Sequence, residues 1–83
     1  MEKHAKKAYD TLVALGVPVV EFSHYGGHFQ ISAEEETSDF WLDYYDTHQL
    51  GDFGIHKDIH AILDKNGLFA EWADCAIASI HDA

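Results

Sequence analysis

The chain has 83 residues, 47% of them hydrophobic, and carries fifteen acidic side chains against five lysines and no arginine, for a net charge of −10. This length and composition predict one small folded acidic domain spanning residues 1–83. The charge excludes direct nucleic-acid binding, which needs a basic surface, and no stretch reaches the about 20 apolar residues of a membrane span.

The first predicted element is a helix near the start of the sequence, in "EKHAKKAYDTLVALG". Its apolar residues recur at helical spacing, with the lysines on the opposite side. Gly16 stands where a left-handed cap belongs, and Pro18 prevents the helix from continuing. The predicted buried stripe consists of Ala5, Ala8, Tyr9, Leu12 and Leu15.

A β-hairpin is predicted next, in "VVEFSHYGGHFQISA", residues 19–33. A two-residue loop at Gly26 and Gly27 pairs His24 with Phe29 and sorts the strands into an apolar and a polar face. A three-residue loop, 25–27, brings His24 and His28 together but exposes half of the apolar residues. We therefore interpret the glycine pair as a turn and not as a metal loop. The predicted apolar face contains Val20, Phe22, His24, Phe29, Ile31 and Ala33.

In this register, His24 points to the buried face and His28 points to water. A buried histidine is ordinarily a core residue with one satisfied hydrogen bond. A small-molecule pocket that His24 lines, between the sheet and the helices, is the alternative.

Residues 34–53 combine acidic and aromatic side chains. We predict a helix in "ETSDFWLDYYDTHQ", residues 36–49, with Thr37 or Ser38 as its N-cap, followed by a glycine-punctuated connection at 50–54. The aromatic side chains of this predicted helix occupy more of the helix circumference than one buried stripe needs. Either the helix is packed on two sides, or some of the rings are exposed for a partner. The predicted interaction patch consists of Phe40, Trp41, Asp43, Tyr44, Tyr45 and Asp46.

The third predicted helix, in "IHKDIHAILDK", has a core stripe and is stopped by Asn66 and Gly67. His56, His60 and Asp64 are spaced i, i+4 and i+8, which suits zinc or nickel. A metalloprotease would need a glutamate where this sequence has Lys57. The simpler interpretation of the three residues is a solvated helix edge. The predicted core stripe is Ile55, Ile59, Ile62 and Leu63.

A second hairpin is predicted in "LFAEWADCAIASIHD", residues 68–82. A three-residue loop puts five apolar side chains on one face, whereas a two-residue loop groups Trp72 with Ile77. We favour the first alternative. Its apolar face contains Leu68, Ala70, Trp72, Ala78 and Ile80.

The predicted order is α-β-β-α-α-β-β. Its natural architecture is an α+β fold, with a four-stranded antiparallel sheet built from two hairpins and helices packed on one face. So small a core also favours a homodimer. The lone cysteine, Cys75, cannot form a disulfide within the chain, and we expect a cytoplasmic protein.

No residue set in the sequence completes a catalytic site, so we predict a protein that is not an enzyme. The acidic and aromatic segment 34–53 favours an interaction module, an inhibitor or adaptor that binds a protein with a basic surface. The alternative is a metal-stabilised or metal-binding domain that uses the stripe of His56, His60 and Asp64.

Overall fold

The computed structural model describes residues 1–21, 26–33, 41–44 and 50–83. The described elements are helix α1 (Lys3–Leu15), strands β1 (Val19–Val20) and β2 (Phe29–Ser32), a 3-10 turn (Asp52–Gly54), helix α2 (Lys57–Lys65), and strands β3 (Leu68–Trp72) and β4 (Ile77–Asp82). The strands form one antiparallel sheet in the order β1-β2-β4-β3. The predicted α+β class is confirmed. None of the described helices has the length and apolar character needed to cross a lipid bilayer.

Helix α1 packs through small side chains. Ala5, Ala8 and Leu12 are buried, and the two alanines allow the helix backbone to approach its neighbours closely. The helix ends at Gly16, whose φ of 88° lies in the left-handed region and whose N–H donates to the carbonyls of Leu12 and Val13. Leu15, predicted in the buried stripe, is 45% exposed.

The core lies between the helices and one face of the sheet. Because side chains alternate along a strand, every second residue of β2 and β4 faces the helices. The core stripe of α2 is largely as predicted, with Ile62 only partly buried. The buried hydrophobic residues contributed by the sheet and by α2 are Phe29, Ile31, Ile59, Leu63, Leu68, Ala78 and Ile80.

The first hairpin has a different register from the predicted one. The pairs are Val19 with Ile31 and Val20 with Gln30, so Val20 does not oppose Ala33. Strand β4 pairs along the whole of β2, whereas β1 pairs with two of its residues. We infer that the long-range partner fixes β2 and that β1 adjusts to it. The predicted core face of β2 is correct, but Gln30 on the opposite face is buried as well.

Residues 41–43 are extended and not helical as predicted. Leu42 forms an isolated antiparallel bridge with Ile55, the Asp43 N–H donates to the Gly54 carbonyl, and the His56 N–H donates to the Trp41 carbonyl. Leu42 is buried by this pairing. Most of the remaining predicted stretch, at 36–40 and 45–49, lies outside the described residues.

The C-terminal hairpin has the favoured register. Trp72 opposes Ala78, Ala70 opposes Ile80, and the Ala73 N–H donates to the Ile77 carbonyl. The three-residue loop around Cys75 is confirmed, and the pairing of Trp72 with Ile77 is excluded.

Candidate functional site

The 3-10 turn presents an exposed aromatic side chain on an unusual backbone. Phe53 has φ 60° and ψ 20°, the left-handed region, and it is the only non-glycine residue with positive φ among those described. Its side chain is 78% exposed. A left-handed conformation costs a residue with a Cβ about 1–2 kcal/mol, so neighbouring interactions must hold the turn in place.

Two side chains from other elements hold this turn. The Trp72 indole Nε1 donates to the Phe53 carbonyl at 2.7 Å, and His60 Nε2 donates to the Asp52 carbonyl at 2.8 Å. At Gly51 an added Cβ would collide with the Ile55 carbonyl oxygen. Strand β3, helix α2 and this close backbone contact therefore fix the position from which Phe53 projects.

Tyr44 extends the exposed aromatic surface beside the turn. Its ring lies 5.3 Å from that of Trp72 in an edge-to-face arrangement, and the residue is 47% exposed. The arrangement is a favourable one for aromatic pairs. We call Tyr44, Phe53 and Trp72 the aromatic patch. The exposed carboxylate of Asp52 lies next to Phe53 in the chain.

The predicted interaction patch overlaps the aromatic patch at Tyr44. Trp41 is half-buried against the core, with its ring 4.9 Å from that of His56. Asp43 is half-buried beside Tyr44. Three of the predicted residues lie outside the described residues, namely Phe40, Tyr45 and Asp46.

Phe53 closes the predicted segment 34–53, but it is not among the residues of the predicted interaction patch, and neither is Trp72. Glycines at positions 51 and 54 bracket Phe53, and this spacing was the available signal for an exposed turn. Trp72 falls on the predicted core face of β3, and in the structure it is half-buried against the core. Its indole reaches Phe53 across a separation of 19 residues, which local patterns do not reveal.

The residues of the predicted metal stripe have structural contacts. His56 is the N-cap of α2, where its Nδ1 accepts a hydrogen bond from the Asp58 N–H at 3.0 Å. His60 holds the 3-10 turn through Asp52, and Asp64 is exposed. In the part of the chain that the structure describes, the metal-capable side chains that converge are four others.

These four residues are Glu2, His4, His28 and Asp82, which we call the polar cluster. One potential ligand atom from each lies within 4.8 Å of all the others. Asp82 Oδ1 accepts from His4 Nε2 at 2.6 Å and from His28 Nε2 at 2.9 Å. The two imidazole rings meet edge to face with centroids 5.2 Å apart.

The two histidines favour the charged form of the shared carboxylate. Hydrogen bonds from His4 and then from His28 hold the pKa of the Asp82 carboxyl below its usual range, and the coulombic effects of the two rings act in the same direction. Asp82 thus remains an anion that keeps two imidazole nitrogens pointed at one oxygen atom.

The polar cluster corrects the predicted environment of His28. Its side chain is only 17% exposed, and it faces Asp82 and not open water. The backbone supports this placement, since the His28 N–H donates to the Ile80 carbonyl at 2.8 Å. His24, the predicted pocket residue, lies outside the described residues.

Comparison with known protein families, curated proteins and solved structures gives no significant match.

Proposed function

We propose that the protein is a non-enzymatic interaction module, an inhibitor or adaptor that binds a basic surface of another protein through the aromatic patch. The observation that carries this proposal is the exposed Phe53 side chain, held on a left-handed backbone by Trp72 and His60. Strained residues persist where the surrounding structure enforces them, and such positions cluster at binding sites.

The patch has the properties of an interface anchor. Aromatic side chains dominate the energetics of protein interfaces, and rigid ones lose little conformational freedom on binding. The turn backbone of Phe53 is already fixed, and the Tyr44 ring is already packed on Trp72. Binding would therefore require little further ordering of the protein.

The negative charge of the protein favours a partner with a basic surface. The chain carries a net charge of −10 without a single arginine, and Asp52 is an exposed acid in the turn itself. A field of one sign attracts oppositely charged surfaces and disfavours acidic ones. The proposal therefore includes association that is faster at low ionic strength.

The cellular setting and the assembly state belong to the same proposal. Cys75 is free and exposed in the β3–β4 loop, which suits the reducing cytoplasm. A chain of 83 residues buries a modest core, which favours a homodimer. Sedimentation equilibrium over a range of concentrations tests the dimer, and a monomer throughout would contradict it.

Crosslinking at Phe53 can identify the partner. A photoreactive phenylalanine analogue at position 53 should crosslink a basic protein in an extract of the source cells. The same analogue at Phe69, which is 40% exposed and packs on His81, provides the matched control. Mass spectrometry then identifies the protein that is crosslinked at position 53 alone.

Affinity measurements with the purified partner decide the outcome. Phe53→Ser should weaken binding by about 30-fold or more, as for a hot-spot residue, and Phe69→Ser should change it little. Added salt should slow association. Equal losses in the two variants, or an acidic partner, would contradict the proposal.

A further inference from the structure

The polar cluster joins three elements that are far apart in the sequence. His4 lies in the first turn of α1, His28 immediately precedes β2, and Asp82 ends β4. The contacts to Asp82 span 78 and 54 residues. This convergence of two imidazoles and two carboxylates is independent of the aromatic patch and does not rest on the proposed function.

We propose that Glu2, His4, His28 and Asp82 bind one Zn²⁺ ion, which ties helix α1 to the sheet. Imidazole nitrogen and carboxylate oxygen are ligands that zinc prefers, and four protein ligands make a closed structural site.

The distances within the cluster are close to those of a zinc site. Ligand atoms about 2.1 Å from a tetrahedral zinc lie roughly 3.4 Å from one another. The two nitrogens now lie 2.6 and 2.9 Å from Asp82 Oδ1, so each must move by less than about 1 Å when zinc replaces the shared protons. Rotations of the Asp82 carboxylate, which is 60% exposed, and of the His4 ring, which is 37% exposed, supply most of this movement.

Glu2 can complete the site in this position. Its Oε2 lies 3.5 Å from His4 Nδ1, on the ring edge away from Asp82. Its ligand atom also lies within 4.8 Å of those of His28 and Asp82. Glu2 is thus the fourth ligand, reached by a rotation of a side chain that is 68% exposed.

Zinc at this position would stabilise the fold. A small domain has a modest core, and ions that bind only the folded chain add their binding free energy to folding. The ion would bridge elements 78 residues apart, where chain closure costs the most entropy.

The test is a titration of tag-free, metal-free protein with zinc chloride, followed by calorimetry and by thermal melting. The variant His4→Gln/His28→Gln removes both imidazoles and keeps an amide donor toward Asp82. The control is His56→Asn/His60→Gln, which alters the two histidines of α2 but keeps a cap and a donor to Asp52. Circular dichroism and melting in a chelator verify that both variants fold.

One-to-one binding to the native protein with a raised melting temperature supports the site, provided that the control retains both effects. The cluster variant should bind at least about 100-fold more weakly, and Glu2→Gln about 10-fold more weakly. No saturable binding by the native protein overturns the proposal. Binding that survives in the folded cluster variant, or that is lost in the control instead, overturns it as well.

Discussion

The aromatic patch and the polar cluster are built in opposite ways. Tyr44, Phe53 and Trp72 fall within 29 consecutive residues, and the patch depends on a strained turn held by side-chain hydrogen bonds. The polar cluster has ordinary local conformations but joins segments 54 and 78 residues apart. One surface thus depends on local backbone strain, and the other depends on strand register.

This difference determines which changes should damage each surface. A change at the 3-10 turn should alter the patch and leave the cluster intact. A change in the alignment of β2 and β4 should separate His28 from Asp82 and leave the turn in place. A change in the shared core should affect both surfaces through global stability.

The largest expected effect comes from the shared core. Ile80 is fully buried, opposes Phe29 and Ala70, and its carbonyl accepts the His28 N–H. Ile80→Ala should lower the free energy of unfolding by about 2–5 kcal/mol, and Ile80→Val by about 0.5–1.5 kcal/mol. Urea denaturation measures both values. A loss below that range for alanine would show that the sheet centre is less tightly packed than described.

The next largest loss of stability is expected at Gly27, and the adjacent Gly26 provides its control. Gly26 and Gly27 have φ values of 78° and 81°, but only at Gly27 would a Cβ collide with the Ile80 carbonyl oxygen. Gly26→Ala should therefore cost about 1 kcal/mol from backbone strain alone. Gly27→Ala should cost about 2–4 kcal/mol, because steric overlap is added to the strain.

Denaturation of the two glycine variants gives the free energies, and the imidazole NMR signals of His28 report on the polar cluster. Those signals should shift far more in Gly27→Ala than in Gly26→Ala. Equal effects of the two substitutions would mean that the close approach to β4 does not position His28.

The smallest expected effect tests the strain at Phe53. Phe53→Gly and Phe53→Ala both remove the exposed ring, but only glycine adopts the observed φ of 60° without strain. The glycine variant should be more stable than the alanine variant by about 0.5–1 kcal/mol, after allowing for the greater flexibility of unfolded glycine. Thermal melting compares the two. An alanine variant of equal or greater stability would show that the turn is unstrained.

The sequence predicted the elements whose signals are local. Gly16 ends α1 and Gly67 follows α2 because left-handed caps need glycine. Alternating side chains over 68–82 favoured the three-residue loop around Cys75 over a two-residue loop, and the observed pairing has that register. In each case the deciding residues lie within one turn or one hairpin.

The predictions that the structure contradicts concern residues whose partners are distant in the sequence. Residues 41–43 fall in the stretch predicted to be helical, yet Leu42 pairs with Ile55 as an extended segment and becomes buried. Val20 pairs with Gln30 of β2, and β2 also pairs along its whole length with β4, which is distant in the sequence. Sequence reasoning selected Tyr44 for the patch, but it could not find the polar cluster because no spacing rule connects His4 or His28 with Asp82.

The hydrogen bond from the Trp72 indole to the Phe53 carbonyl gives the protein an intrinsic optical reporter. The chain has two tryptophans, and the Trp41 ring packs edge to face against His56. A ligand seated on Phe53 would change the polarity around the Trp72 ring and shift its emission. In a Trp41→Phe background, fluorescence alone would then follow occupancy of the patch in real time, without any attached dye.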